Sequence, residues 1–261
     1  MFGCVWEWVY LGFCFNQMVM DKIKNIDILA IGVHPDDVEL SCAGTLALQK
    51  SLGYTFGILD LTEGELGTRG SAEQRKKEAF RAADILGAEF RHILNIGDGF
   101  FQHEENNLKD IIRVIRACRP RVVFANALSD RHPDHGRAAK LVSDACFLSG
   151  LRKIYTEYKS VTQENWRPEV IYHYIQDHYL KPDLVVDISN FLDKKMESIM
   201  AFESQFYKEG STEPESPISG KDFLEFIKSK SRVVGRSSGV EYGEGFNTAR
   251  PIGVHNIFDL R

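Results

Sequence analysis

The chain has 261 residues, of which 43% are hydrophobic and 26% are charged, and its formal net charge is −5. This composition is typical of a globular protein with a substantial buried core. The acidic balance, without a long Lys/Arg run, argues against nucleic acid or an anionic membrane as a partner. The five cysteines are scattered and lack CxxC spacing, which predicts free thiols in a cytoplasmic protein.

Residues 1–20 are apolar and aromatic, but they match neither a signal peptide nor a membrane span. The stretch has no basic start, Glu7 interrupts it, and no small-residue cleavage site precedes Asp21. We interpret it as a non-native or disordered extension before a start at Met18 or Met20. The alternative is a tail that covers a hydrophobic patch or a neighbouring subunit. Residues 21–261 are predicted to form a single domain.

Strand and helix patterns alternate along the rest of the chain. In chain order they predict a strand at 26–33, a helix at 38–52, a strand at 54–61, a helix at 71–87, a strand at 91–96, a helix at 108–118, a strand at 121–128, a helix at 136–148, strands at 170–175 and 184–188, and helices at 191–207 and 222–234. This alternation predicts an α/β fold, a Rossmann-like three-layer sandwich with a mostly parallel sheet. The Ser-, Pro- and Gly-rich segment 209–220 is predicted to be a surface loop or lid.

Two short motifs follow predicted strands and carry candidate catalytic side chains. HPDDVE occupies residues 34–39 and HPDH occupies residues 132–135. Ligands of open parallel sheets bind beyond the carboxyl ends of the strands, so we expect both motifs and the Gly-rich loop TEGELGTRG at one rim. Taken alone, each motif also fits a plainer interpretation, as an Asp helix N-cap or a solvated helix start.

Together the motifs supply the groups that a water-activating metal site needs. They offer one carboxylate and two imidazoles for a three-ligand site with open positions, and they leave Asp36, Asp134 and one histidine for other roles. Spacing does not decide which histidine is left over. Two histidines and a carboxylate also bind Fe(II) in non-haem oxygenases, although those sites usually lie in β-barrels, which the strand–helix alternation argues against.

The motifs resemble those of the LmbE-like/PIG-L family of zinc-dependent N-acetylglucosaminide deacetylases. HPDDVE matches the family's (P/A)HPDDxE motif, and RHPDHG matches its HxxDH-type second motif. The stretch DLTEGELGTRG, followed by residues 73–78, resembles the bacillithiol-biosynthesis branch, which deacetylates N-acetylglucosaminyl-malate. The resemblance runs from about residue 26 to the C-terminus.

The resemblance implies an LmbE-like fold and a small sugar substrate, and we also expect a homo-oligomer. It implies Zn²⁺ as the cofactor, with Fe²⁺ as the alternative, and as its ligands His34, Asp37 and His135. Asp36 would be the general base. A protonated His132 would stabilise the oxyanion or protonate the leaving amine, and Asp134 would orient His132.

Three arginines and a tyrosine are candidates for substrate binding. Arg75 and Arg131 are expected to hold the malyl carboxylates, because a guanidinium group binds a carboxylate with two hydrogen bonds. Arg69 is a weaker candidate of the same kind. Tyr242 lies in GVEYGEGF, which resembles a family segment near the substrate mouth. Each arginine also fits the interpretation of a surface charge, and Tyr242 that of a packing residue.

Two other functions stay open at this stage. The substrate could be another N-acetylglucosamine conjugate or a chitooligosaccharide. The chain could also be a sugar- or nucleotide-binding module without catalysis, but no GxGxxG follows the first strand, and the two acids in GVHPDD disfavour a pyrophosphate there. His173 and His178 fit strand alternation better than metal binding.

Overall fold

The predicted strands and helices occur in the predicted order, and the structure adds strands at 157–158, 161–162 and 243–248. The computed structural model describes residues 23–207, 209, 210 and 212–259, so the interpretation of residues 1–20 lies outside the described residues. The elements are β1 (Ile28–Gly32), α1 (Asp37–Ser51), β2 (Phe56–Asp60), α2 (Ala72–Leu86), β3 (Arg91–Ile93), α3 (Glu105–Cys118), β4 (Val122–Ala125), α4 (Pro133–Ser149), β5 (Glu157–Tyr158), β6 (Val161–Thr162), β7 (Val170–Tyr174), β8 (Leu184–Asp187), α5 (Leu192–Met200), α6 (Lys221–Ser237) and β9 (Gly243–Thr248), followed by a 3-10 turn at Ile257–Asp259.

Seven strands form the central sheet, in the order β3-β2-β1-β4-β7-β9-β8. The five strands from β3 to β7 pair in parallel, and β9 pairs antiparallel with both β7 and β8. The order reverses at β1, because β2 lies on one side of it and β4 on the other. The carboxyl ends of β1 and β4 therefore flank the crevice where open α/β sheets bind ligands.

Helices cover both faces of the sheet, which confirms the predicted three-layer α/β architecture. Along β1, Leu29 and Ile31 belong to the core beneath α3 and α4, while Ile28 and Ala30 face the core beneath α1 and α2. Both sets are buried, which explains why the strand is a continuous apolar run. A further cluster joins α2, α5 and α6 on the second face.

Helix ends follow local sequence signals at α2 but not at α5. The Oγ of Ser71 accepts a hydrogen bond from the backbone N–H of Gln74, as the predicted cap requires, and Gly87 ends the helix with φ of 74°. The predicted helix at 191–207 was wrong beyond Met200. There the backbone N–H and the hydroxyl of Ser204 both donate to the buried carboxylate of Glu78, which competes with helix continuation.

Strand β9 was not predicted, because its sequence GEGFNT lacks an apolar pattern. It lies against α6 at a glycine contact, where a Cβ on Gly235 would come within 2.8 Å of the backbone nitrogen of Gly243. Glycine therefore permits the close approach of helix and strand. Because glycine has no side chain, it adds nothing to the apolar pattern by which a strand is predicted.

Three of the predicted free thiols are described. Cys42, Cys118 and Cys146 are buried and unbonded to another cysteine, as predicted, whereas Cys4 and Cys14 lie outside the described residues. Within the described part of the chain, none of the helices combines the length and the apolar character needed to cross a bilayer.

Candidate active site

The two motifs and the Gly-rich loop meet at a cavity of about 470 Å³. His34, Asp36 and Asp37 line it from the turn after β1, and His132 and His135 line it from the start of α4. Residues 66–68 of the Gly-rich loop and residues of α6 complete its wall. The predicted convergence of three separate segments at one rim is therefore observed.

The turn after β1 is held by Asp37. Its Oδ2 accepts hydrogen bonds from the backbone N–H groups of Val33 and His34 at 3.0 and 2.9 Å, and from the Asn126 amide at 2.9 Å. The preceding residue, Asp36, has φ of 120° and makes no side-chain capping bond to α1. Residues other than glycine rarely adopt such a φ, and strained backbone of this kind concentrates at functional sites. A simple N-cap role does not account for Asp36.

The imidazoles of His34 and His135 are fixed in the same way. Nε2 of His34 lies 2.9 Å from Oδ1 of Asp98, and its Nδ1 lies 3.8 Å from Oδ2 of Asp37. Nδ1 of His135 lies 2.5 Å from Oδ2 of Asp130, and its Nε2 lies 3.2 Å from Oδ1 of Asp37. Each ring thus has one nitrogen on an outer carboxylate and the other directed to Asp37. Metal-binding histidines are commonly oriented by such a carboxylate.

A third imidazole belongs to the same cluster. One nitrogen each of His34, His132 and His135 lies within 4.8 Å of the others. The ring centroid of His132 lies 4.7 Å from that of His34 and 5.2 Å from that of His135. Imidazole nitrogens with an adjacent carboxylate are a donor set that suits Zn²⁺ or Fe²⁺, so the residues present fit the cofactor that the motifs imply.

The carboxylates give the cluster a strong preference for positive charge. Burial opposes protonation of His34, but Asp134, Asp98 and Asp37 together raise the pKa of His34 to about 10. Burial likewise opposes protonation of His135, yet Asp37 and Asp130 raise its pKa to about 9. Although Asp37 is buried, the neighbouring His135 and His34 hold its pKa well below the usual range. Such surroundings stabilise a cation, and a metal bound there would displace the protons from the two rings.

Asp36 is a buried acid beside this cluster. Burial raises the pKa of Asp36 to about 7, against the opposing charge of Arg75 and with the added repulsion of Asp37. Its Oδ2 lies 3.4 Å from Nη2 of Arg75. A carboxyl group with a pKa near neutrality can both accept and return a proton, which suits acid–base catalysis.

His132 differs from the expectation of a protonated ring. Burial and the charges of His34 and His135 lower the pKa of His132, which favours its neutral form. Its Nδ1 accepts a hydrogen bond from the backbone N–H of Asp134 at 3.3 Å. In a neutral ring the proton then lies on Nε2, so His132 keeps a hydrogen-bond donor on that side.

Asp134 has partners in addition to His132. Its backbone N–H donates to Nδ1 of His132, whereas its carboxylate accepts hydrogen bonds from the backbone N–H of Gly99 and from Arg137, both at 2.9 Å. Its Oδ2 also lies 3.5 Å from Nε2 of His34. Asp134 lies in the first turn of α4 and is fully buried, and its carboxylate contacts the loop that contains Gly99. That Asp134 orients His132 stays a prediction.

Arg75 is committed to protein groups rather than to the open cavity. Its guanidinium donates to the carbonyl oxygens of Gly64 and Pro35, each at 2.9 Å, and contacts Asp36. The side chain is nearly fully buried, although it reaches the cavity wall. These contacts make Arg75 a positioning residue for Asp36, and its binding of a substrate carboxylate stays a prediction.

The other predicted binding residues are dispersed. Arg131 lines the cavity with a half-exposed side chain, and its Nε donates to Asp177 at 2.5 Å. Arg69 is buried, with its backbone oxygen bound by Gln205, and does not line the cavity. Tyr242 does not line it either. Its backbone oxygen accepts a hydrogen bond from the N–H of Ile188, and the Arg232 guanidinium lies 5.5 Å from its ring centroid.

Several functional candidates were missed by the motif analysis. Asp98 and Asp130 hold the two histidines, and Asn126 and Gln176 both donate to Asp37. Asn126 comes directly after β4 and Gln176 lies two residues beyond the end of β7, so both are at the carboxyl ends of strands. Polar residues at such ends are a usable signal, since ligands of these sheets bind there.

The chain is similar to known proteins over most of its length. The model of the PIG-L family, GlcNAc-PI de-N-acetylase, matches residues 29–146, which contain both motifs. The diacetylchitobiose deacetylase of Thermococcus kodakarensis is 28% identical over 255 residues, which cover 94% of this chain and 90% of the relative. The 4-oxalmesaconate hydratase of Pseudomonas putida is 26% identical over 208 residues, which cover 74% of this chain and 78% of the relative. The crystal structure of the conserved protein TT1542 from Thermus thermophilus is similar with a TM-score of 0.79 at 38% identity, over 89% of this chain and 98% of that one.

Proposed function

The chain belongs to the PIG-L/LmbE-like deacetylase family, and from this premise we propose that it is a metal-dependent hydrolase that removes the acetyl group from an N-acetylglucosaminide. The bond broken is a linear amide C–N bond. We propose N-acetyl-α-D-glucosaminyl L-malate, in bacillithiol biosynthesis, as the substrate. Another N-acetylglucosamine conjugate or a chitooligosaccharide is the alternative, which the diacetylchitobiose deacetylase relative supports.

One observation carries this proposal: Asp36, a buried acid with a strained backbone, lies beside an imidazole and carboxylate cluster in a cavity large enough for a sugar. A cavity of about 470 Å³ is in the range of small-molecule sites. A binding module without catalysis would not need a strained, buried carboxyl group near neutrality at this place.

His34, Asp37 and His135 would hold the cation, and His132 offers a further imidazole nitrogen at the same place. When bound, Zn²⁺ or Fe²⁺ would polarise the acetyl carbonyl and lower the pKa of water to near neutrality. Asp98 and Asp130 fix the two rings through their outer nitrogens, so that the inner nitrogens stay directed to Asp37.

Asp36 would accept the proton of the attacking water and later return it to the amine, and Arg75 holds the Asp36 carboxylate for both steps. A neutral His132 with its proton on Nε2 would donate a hydrogen bond to the oxygen on which negative charge develops. Of the two roles expected for His132, its lowered pKa favours this one over protonation of the amine.

Acetate release tests the proposal. We expect the Zn²⁺- or Fe²⁺-loaded protein to release acetate from N-acetylglucosaminyl-malate, and more slowly from diacetylchitobiose. A chelator should abolish the release, and added metal should restore it. Because one relative is a hydratase, 4-oxalmesaconate is included as a third substrate. Hydration of that compound without acetate release from either sugar would refute the proposed function.

A further inference from the structure

Helix α6 supplies one face to the wall of the cavity. Phe223, Phe226, Ile227 and Lys230 all line it, and their spacing of three or four residues places them on one side of the helix. Three of these residues are apolar and the fourth carries an ammonium group. On this face of α6, Lys230 is thus the one basic residue among apolar ones that line the cavity.

The protein gives the Lys230 ammonium few partners. Its Nζ donates to the backbone oxygen of Ile175 at 3.0 Å, and no carboxylate within the described ranges pairs with it. The neighbouring lysine of the same region, Lys195, is paired with Glu244 at 2.7 Å. An ammonium group has three donors, so Lys230 has donors to spare at the cavity.

The acids that attract Lys230 are already bound to other residues. Asp130 and Asp177 act on it only through their charge, since Asp130 contacts His135 and Asp177 contacts Arg131. Burial and the charge of Lys195 lower the pKa of Lys230 to about 8. A partly buried cation without a paired anion is costly, and an anion that arrives with a ligand would relieve this cost.

We propose that Lys230 binds a carboxylate on the aglycone of the substrate, and so selects anionic N-acetylglucosaminides over neutral ones. Arg131 lines the same cavity from the turn before α4 and is a second cation there, whereas Arg75 is committed to Asp36. This inference rests on the proposed function and adds to it the residue that recognises the anionic part of the substrate.

Lys230→Met tests the role, because it removes the charge and keeps a similar stem. Lys228→Met is the matched control, since Lys228 is an exposed residue of the same helix. With N-acetylglucosaminyl-malate we expect KM to rise about tenfold or more in Lys230→Met, with little change in kcat. With methyl N-acetylglucosaminide, a neutral substrate, both variants should match the wild type. Lys230→Arg should retain most of the preference for the anionic substrate over the neutral one, which would show that the position tolerates substitution.

An equal loss with both substrates, or no loss with either, would overturn the role of Lys230. Binding of L-malate to the metal-loaded protein, measured by calorimetry, separates this result from failure of the proposed function. If malate binds the wild type and Lys228→Met but not Lys230→Met, the role of Lys230 holds even if no sugar is deacetylated. If acetate is released but Lys230→Met behaves as Lys228→Met in both assays, the deacetylase function holds and the anion-binding role is wrong.

Discussion

Nε2 of His34 and Oδ1 of Asp98 lie 2.9 Å apart and join two segments 64 residues apart in the chain. Asp98 also accepts a hydrogen bond from the backbone N–H of Leu66, so its carboxylate is itself held in place. The ring of His34 can therefore present Nδ1, and only Nδ1, to Asp37. This contact links the loop after β3 to the proposed metal centre.

Asp98→Asn is expected to weaken metal binding by about 10- to 100-fold, because loss of the oriented carboxylate lowers the basicity of His34 and frees its ring. The measurement is a competitive titration with a chromophoric chelator. Asp144→Asn is the matched control, since Asp144 contacts His103 at 2.7 Å on the surface, away from the cavity. Equal affinities for the two variants would contradict the role of Asp98.

Asp36→Asn and His135→Ala should separate catalysis from metal binding. Asp36→Asn is expected to keep its metal and lose about 10²- to 10⁴-fold in kcat, the usual contribution of a positioned base. His135→Ala should lose the metal itself, because it removes an imidazole from the cluster. Metal content by mass spectrometry and acetate release are measured on the same preparations. Equal metal loss in both variants would refute this division of roles.

Arg91 is predicted to be a large contributor to stability. Its guanidinium binds Asp60 at 2.6 and 2.8 Å and Glu39 at 2.6 Å, and the Arg91, Asp60 and Glu39 side chains have no exposed surface. Arg91→Met leaves two buried carboxylates without their cation, so the free energy of unfolding should fall by about 3–5 kcal/mol.

The control for Arg91→Met is Arg81→Met. Arg81 pairs with Glu203 at 2.9 Å, but both side chains are about half exposed, at 55% and 46%. Its substitution should cost no more than about 1 kcal/mol in the same urea unfolding experiment. If the two variants lose equal stability, the buried ion pairs of Arg91 contribute no more to the free energy of unfolding than the exposed pair of Arg81.

His92 should make the protein less stable in mild acid. Burial, with a smaller effect from Lys76, lowers the pKa of His92 to about 4, from an ordinary value of 6.5. As the pH falls below 6.5 the unfolded chain binds a proton that the native protein does not, so the free energy of unfolding decreases until the pH approaches 4. The contribution of His92 to the free energy of unfolding should fall by about 2 kcal/mol from about pH 7 to about pH 5.

Urea unfolding of His92→Gln at both pH values measures this contribution. Relative to the wild type, His92→Gln should lose less stability on acidification, whatever its stability at neutral pH. His255→Gln, at an exposed position, should keep the pH dependence of the wild type. A pH dependence unchanged in His92→Gln would show that His92 titrates in the native protein as it does in the unfolded chain.

The sequence by itself determined the α/β alternation, the strand buried on both faces and the meeting of two motifs at one rim. These features follow from local information. A continuous apolar run such as that of β1 must be buried on both faces of the sheet. The Ser71 cap depends only on Gln74, three residues later. Parallel strands bring the turns that follow them to one edge of the sheet.

Tertiary structure alone decided which carboxylate serves which ring. Asp98 holds His34, the carboxylate of Asp134 binds Gly99 and Arg137, and Arg75 reaches Asp36 across 39 positions of the chain. Strand β9 could not be predicted for a similar reason, because its glycines are explained by long-range neighbours, which are α6 and the side chains of Val185 and Ile175. Periodicity and motifs predict which side chains lie near the end of a strand. Their pairing depends on long-range packing, which carries no signature in the spacing of residues along the chain.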